Sequence, residues 1–294
     1  VKRKQRQTFS PAHFIWKHRG PAASGDVTGM ASEVVLITGA SSGIGWEIAE
    51  RFASDGAELI LVARREEKLR ELADRLHADH GTKTRIISMD LSNPGAASEL
   101  HKKVVETHPD IDVLVNNAGF GQYGKFEEIP ADRHVDMCML NVVTLTELTR
   151  LILPRMIERN RGSILNLGST ASFQPGPNCA VYYATKAYVL SFSEALTAEL
   201  WGTNISVTCL CPGPTITGFG SDSDMEQANI FKMLKMPVEP VVDAGYRGVR
   251  KKRRLVVPGF MNNLLAFSVR FTARPVILWI MKRLQPLPSP SKDS

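Results

Sequence analysis

Tyr182 and Lys186, in the stretch Val181-Tyr182-Tyr183-Ala184-Thr185-Lys186, stand out for what their side chains could do together. Residues four apart share one face of a helix, so a phenol and an ammonium there point into one cleft. Tyr183 is rotated about 100° away and has no lysine at that spacing. A free tyrosine loses its proton near pH 10, and lowering that value by about 3 units takes about 4 kcal/mol of preference for the phenolate. An adjacent ammonium in a partly desolvated cleft acts in that direction. The pair is then a general acid and base for an oxygen that gains or loses a proton near neutrality. Alone, the spacing is common by chance; its neighbours give it weight.

Ser169 lies 13 residues before Tyr182, just past an apolar run in Leu167-Gly168-Ser169-Thr170, with Thr170 and Ser172 close by. Asn116-Asn117-Ala118-Gly119 closes an earlier run, Asn141 falls in the helical stretch after it, and Pro212-Gly213 closes a later one. At the start of the organised pattern a strand runs into Thr38-Gly39-Ala40-Ser41-Ser42-Gly43-Ile44-Gly45 and on into a helix. Glycines there let the backbone approach a pyrophosphate, and the helix N-terminus offers it free N–H groups and a positive dipole end. The next strand ends in Val62-Ala63-Arg64-Arg65. A carboxylate at that strand end binds the ribose 2′-hydroxyl of NAD. Ala63 offers none, whereas Arg64 puts a permanent cation where a 2′-phosphate would lie, so NADP(H) is expected over NAD(H). Arg65 reads equally well as a surface residue at a helix start.

The elements that must position these groups alternate along the chain. Strands are expected at Val34–Thr38, Leu59–Ala63, Arg85–Met89, Val113–Asn116, Ser163–Leu167, Ser206–Leu210 and Leu255–Val257. They read as continuous apolar runs, which a parallel sheet buried on both faces requires. Helical patterns fall between them at Ile44–Ser54, Glu66–His80, Gly95–Thr107, Ala131–Arg159 and Ala180–Trp201. The expected fold is therefore α/β, a Rossmann-type doubly wound parallel sheet of about seven strands. It would span residues 31–260 as a single domain, with a substrate lid at 214–236 and a C-terminal helical extension at 261–294.

Of the net charge of +6, residues 1–30 carry +5. These residues have no apolar stretch resembling a signal-peptide core and are expected to be a flexible leader. The run Arg250–Arg254 reads as a solvated loop, so no nucleic-acid partner is expected. Cys138, Cys179, Cys209 and Cys211 form no CxxC pair. Core packing is expected of them rather than metal binding, and a reducing cytoplasm fits. The apolar runs of residues 259–287 are broken by Arg270, Arg274, Pro275 and Lys282, which makes a poor membrane span. Packing on the body or on a second subunit is expected of it before contact with a membrane surface.

TGASSGIG, NNAG, Asn141, Ser169, YYATK and PG in this order resemble the short-chain dehydrogenase/reductase family over about residues 32–260. Within it, NNAGFGQYGKF and the apolar-basic tail look like the bacterial DltE-like NADP-dependent reductases. The resemblance implies that Tyr182 gives or takes the carbonyl proton and Ser169 orients the substrate oxygen. It implies that Lys186 holds the nicotinamide ribose and lowers the tyrosine pKa, and that Asn141 supports a water relay. Gly39, Ser41, Ser42, Gly43, Ile44 and Gly45 would cradle the phosphates, with Arg64 beside them. Asp90 and Leu91 would border the adenine, Asn117 its ribose with Ala118 and Gly119 alongside, and Pro212, Gly213 and Thr215 the nicotinamide. Phe120, Gln122, Tyr123, Phe173, Gln174 and Phe219, with a lid reaching Phe231, are expected to line a pocket for a hydrophobic 3-oxoacyl or ketone carbonyl. The family implies a homodimer or homotetramer through helices 131–159 and 180–201. Two other readings stay open: a non-catalytic NADP(H)-binding regulatory module, and a membrane-surface reductase of lipid or steroid ketones.

Overall fold

Short runs of leucine and β-branched residues form the strands β1 (Val34–Thr38), β2 (Glu58–Ala63), β3 (Thr84–Ser88), β4 (Val113–Asn116), β5 (Gly162–Leu167), β6 (Ile205–Leu210) and β7 (Leu255–Val256). In the computed structural model, which describes residues 32–219, 223, 225–228 and 235–287, they make one seven-stranded sheet. The expected leader lies outside the described residues, as does part of the 214–236 segment including Phe231. The order is β3-β2-β1-β4-β5-β6-β7, and every pairing is parallel. The chain reverses its direction of winding between β1 and β4, the place where open α/β sheets bind ligands beyond their strand ends.

Alternate residues on one strand point to opposite faces, and here both faces are covered. Val35, Ile37, Leu59 and Leu61 pack with Ile48 and Phe52 of α1 (Gly43–Ser54) and Leu69 and Leu72 of α2 (Glu66–His80). Leu36, Ile60, Leu114 and Ile164 meet the other layer, with Leu100 of α3 (Ala96–Val105) and Leu148 and Ile152 of α5 (Leu145–Arg159). That layer also holds α6 (Ala180–Glu199), and α7 (Val238–Arg250) joins the first.

The stretch expected as one helix, Ala131–Arg159, is helical throughout but not uniform. α4 (Ala131–Cys138) passes through a π-helical turn at Met139–Thr144 before α5 begins. By length and composition alone this stretch could cross a membrane, but Leu148, Ile152 and Met156 pack into the core between α3 and the sheet. Beyond β7 come α8 (Phe260–Ser268), a 3-10 turn at Val269–Phe271 and α9 (Arg274–Leu284). α9 buries Ile277 and Met281 against Tyr123, Tyr182, Tyr183 and Met225, while Phe260, Phe271 and Trp279 stay exposed on the outer side.

Between β4, β5, α5 and α6 runs a buried polar network. Asn116 Nδ2 donates to Thr149 Oγ1 and to Asn166 Oδ1, each at 2.9 Å, and Asn166 Nδ2 donates to Ser193 Oγ at 2.9 Å. Ser193 Oγ donates in turn to Val189 O at 2.6 Å. Replacing Asn166 by leucine would take one hydrogen bond from each of the buried Asn116 amide and Ser193 hydroxyl. The expected loss is about 2–4 kcal/mol of unfolding free energy, read as a lower urea midpoint.

Candidate active site

Thr38 ends β1 with its side chain turned toward β4. Its Oγ1 donates to Val115 O at 3.2 Å and accepts from the backbone N–H groups of Asn117 and Ala118 at 3.1 and 3.0 Å. Asn117 returns the contact, its Nδ2 donating to Thr38 O at 2.9 Å and Gly39 O at 3.0 Å. Its amide therefore braces the glycine turn from beneath. Two of its glycines have no room for a side chain: a Cβ on Gly39, whose φ is +68°, would stand 2.7 Å from Asn117 Nδ2, and one on Gly45 would collide with Gly39 O. Gly43 also has positive φ, and Ser42, the N-cap of α1, makes no side-chain capping bond. The helix N-terminus thus keeps N–H donors for an anion.

Beyond β2, two guanidinium groups flank this turn. Arg64 is mostly exposed, 3.8 Å from Asp90 Oδ2. Hydrogen bonds from Ser92, and the charge of Arg64, hold the Asp90 carboxyl below its ordinary range against the opposing effect of burial. Arg65 reaches back over the turn, its Nη2 donating to Ser41 Oγ at 3.2 Å and Ser42 Oγ at 3.0 Å. A plain helix-start residue would not do this, and only the adjacency of Arg65 to Arg64 could have pointed to it.

Ser169, Tyr182 and Lys186 converge from β5 and α6. Ser169 caps the 3-10 turn Thr170–Phe173, its Oγ accepting from Ala171 N at 3.1 Å and donating to Pro212 O at 3.4 Å. Lys186 Nζ donates to Leu167 O at 2.7 Å and lies 5.8 Å from the centre of the Tyr182 ring. Ser172, the near alternative to Ser169, is turned away and donates to Lys186 O at 2.7 Å. The electrostatics differ from the expectation of a lowered phenol. Burial pushes Tyr182 up from the ordinary tyrosine value, with Ser169 acting against it, and burial pushes Lys186 down to about 8.

Asn141 sits in the π-helical turn, a distortion frequent at functional sites. Its Nδ2 donates to Phe120 O at 2.9 Å and Thr185 Oγ1 at 3.1 Å, and its Oδ1 accepts from Phe120 N at 3.1 Å. The side chain clamps the loop after β4 to α6. That loop comes close to the chemistry, since a Cβ on Gly121 would stand 3.0 Å from Cδ2 of Tyr182.

One cavity of about 380 Å³ joins these parts, lined by the glycine turn, Arg64 and Arg65, Asp90, Leu91, Asn117–Phe120, Ser169, Tyr182, Lys186 and Pro212–Thr215. Of the side chains expected on the substrate side, Phe120 and Phe219 line it, the latter 5.8 Å from the Tyr182 ring. Gln122 instead borders a separate small cleft beside Asn178. Phe173 packs into the core against Leu145 and Val189, and the buried Tyr123 hydrogen-bonds Pro286 O at 2.7 Å. Gln174 does not line the cavity. These four sit in irregular backbone, where closeness in sequence to a motif does not set side-chain direction. In their place stand Arg133, stacked 4.1 Å from the Phe120 ring centre, and Met225, Ala228 and Gln285. No local pattern marks these.

A buried ammonium costs stability, and the size of that cost follows from its depressed pKa. With the folded-state value near 8 and an ordinary lysine near 10.4, the unfolded chain holds more protons between those values. The wild type therefore gains stability as pH rises through that window. Lys186→Met is expected to be more stable than wild type at pH 7 by about 1–3 kcal/mol. The gap should close toward pH 10, as read by chemical denaturation at both pH values.

Comparison with known proteins identifies the family. The family model described as short chain dehydrogenase matches residues 33–228. An NADP-dependent 3-hydroxy acid dehydrogenase of Salmonella typhi is 40% identical over 181 residues, covering 61% of this chain and 71% of that protein. The chain spans 63% to 87% of the length of the curated relatives that it matches. Among solved structures, a short-chain dehydrogenase from Sphingobium yanoikuyae in complex with NADPH is 31% identical with a TM-score of 0.73, over 88% of this chain and 99% of that one. A bulky-bulky ketone specific alcohol dehydrogenase from Comamonas testosteroni is 30% identical with a TM-score of 0.69, over 89% and 98%. With the ordered motifs, the parallel sheet and this family match over most of its length, the chain belongs to the short-chain dehydrogenase family of oxidoreductases.

Proposed function

We propose that the chain is an NADP(H)-dependent carbonyl reductase that reversibly converts a hydrophobic ketone or 3-oxoacyl compound to its alcohol. The observation that carries this is the meeting of Ser169, Tyr182 and Lys186 at the junction of a phosphate-ready turn and an apolar pocket. The uncapped α1 N-terminus, the close-packed glycine turn and the paired Arg64 and Arg65 fit a dinucleotide with a 2′-phosphate. The Salmonella relative's NADP dependence and the NADPH bound in the Sphingobium structure support the same choice. Bound NADPH supplies the hydride.

The chain's own residues handle the oxygen. The Ser169 hydroxyl donates to the substrate carbonyl oxygen and holds it against Tyr182. As negative charge develops there, the Tyr182 hydroxyl gives up its proton, which burial has kept in place. Lys186, protonated below about pH 8, stabilises the phenolate left behind and stands ready for the cofactor ribose. Asn141 holds the Phe120 backbone and α6 in register while this happens. Phe120, Phe219, Met225 and Ala228 exclude water from the reacting carbon. The Comamonas ketone enzyme's substrate class supports a pocket for bulky apolar ketones.

Four free thiols support a cytoplasmic setting. Exposed Val135, Val143, Ile157 and Tyr188 on the helices at 131–159 and 180–199 support a homo-oligomer.

Tyr182→Phe is expected to lower NADPH-dependent ketone reduction by about 10²–10⁴-fold with folding intact. Equal rates would favour the non-catalytic NADP(H)-binding alternative. Arg64→Ala and Arg65→Ala should each raise the KM for NADPH by about 10-fold or more and leave that for NADH nearly unchanged, as steady-state kinetics with both cofactors would show.

A further inference from the structure

Gln285 follows α9 in sequence and is 2% exposed. Its main chain is fixed from both sides: the backbone N–H donates to Met281 O at 3.0 Å, and the carbonyl accepts from Asn178 Nδ2 at 2.7 Å. Pro286 beside it is held by the Tyr123 hydroxyl at 2.7 Å. The side-chain amide is fixed as well, Nε2 donating to the Tyr183 hydroxyl at 2.6 Å. That bond leaves Oε1 without a hydrogen-bond partner although it is fully buried. Gln285 and Tyr183 both line the cavity that holds Ser169 and Tyr182. Around them Met225 and Ala228 make the wall apolar, with Ile277 and Met281 in the same buried cluster.

A buried acceptor with no donor is a net cost to folding, and leucine or methionine would fill the same space without it. The cost is offset when a bound molecule brings the missing donor. We propose that Gln285 is a specificity-determining residue whose carboxamide oxygen accepts a hydrogen bond from a hydroxyl or N–H group on the substrate, remote from the reacting carbonyl. This rests on the carbonyl-reductase reading above and narrows its substrate class. The substrate is a ketone with an apolar body and a second, hydrogen-donating polar group: a hydroxy-ketone or an amide-bearing ketone rather than a plain hydrocarbon ketone. Tyr183 is the positioning residue, because its hydroxyl occupies Nε2 and leaves Oε1 as the free acceptor of the amide.

The test uses the full chain with NADPH and two matched series. One is the alkan-2-ones from octan-2-one to dodecan-2-one, and the other the same ketones carrying a terminal hydroxyl. Chain length acts as a ruler for the distance between the two polar ends. At the best length, wild type is expected to prefer the hydroxy-ketone in kcat/KM by about 10- to 100-fold. Gln285→Met should bring that ratio to within about 3-fold of unity, with folding of the variant checked separately by its circular dichroism and urea midpoint. A preference equally large in both proteins, or none in wild type at any length, overturns the assignment and leaves the carbonyl-reductase reading standing. Undiminished turnover of the unsubstituted ketone by Tyr182→Phe overturns that reading and this inference with it.

Discussion

A lysine ammonium enclosed between β5 and α6 is the constraint around which the site is built. Lys186 lies in the protein interior and, among the described residues, donates to one acceptor, the Leu167 carbonyl at the end of β5. Leaving it there is unfavourable, as its depressed pKa records. Holding it there takes contacts from several directions. Ser172 binds its backbone carbonyl. Gly168 lets the sulfurs of Cys209 and Cys211, 3.6 Å apart, approach from β6. Asn141, from a π-helical turn, ties the neighbouring Thr185 to the loop after β4. Each is a polar or steric adjustment that a purely apolar core would not need.

The dinucleotide side follows a similar logic with less strain. Thr38 and Asn117 exchange hydrogen bonds across the ends of β1 and β4, where the winding of the sheet reverses. The crevice that opens there is thus held in shape by main-chain and side-chain bonds of the protein itself. A ligand arriving at a preformed turn loses less free energy to ordering than one that must organise the loop. The two arginines beyond β2 differ in that respect. Arg65 is already anchored on Ser41 and Ser42, whereas Arg64 projects into solvent near Asp90.

Much of this was legible in the residues. Buried parallel strands must be apolar on both faces, so their positions emerged to within a residue or two, and the type and spacing of Ser169, Tyr182 and Lys186 pointed to the cavity that they share. What stayed hidden depends on contacts that sequence does not encode locally. The π-helical turn at 139–144 has the same apolar pattern as an unbroken α-helix, so the extra residue that redirects Asn141 leaves no mark. The side chains of Tyr123 and Phe173 follow irregular backbone, where neither period applies, and both turn inward. Gln285 joins Tyr183 across 102 positions, and nothing near it announces a role in a pocket. The C-terminal stretch could be read as amphipathic, but not which residues it would lay over Tyr182.

That last contact orders the site in time as well as in space. Every residue on the dinucleotide side of the cavity has been synthesised once the ribosome passes Thr217, whereas the far wall waits for Gln285. At about 5–20 residues per second, the interval between them is on the order of 3–14 s. Throughout it the chain holds the residues of the glycine turn but lacks the helix that covers the apolar side of the cavity. The final helix therefore shields that face from other nascent or misfolded chains, and a protein stopped short of it would expose the apolar half of its own active site.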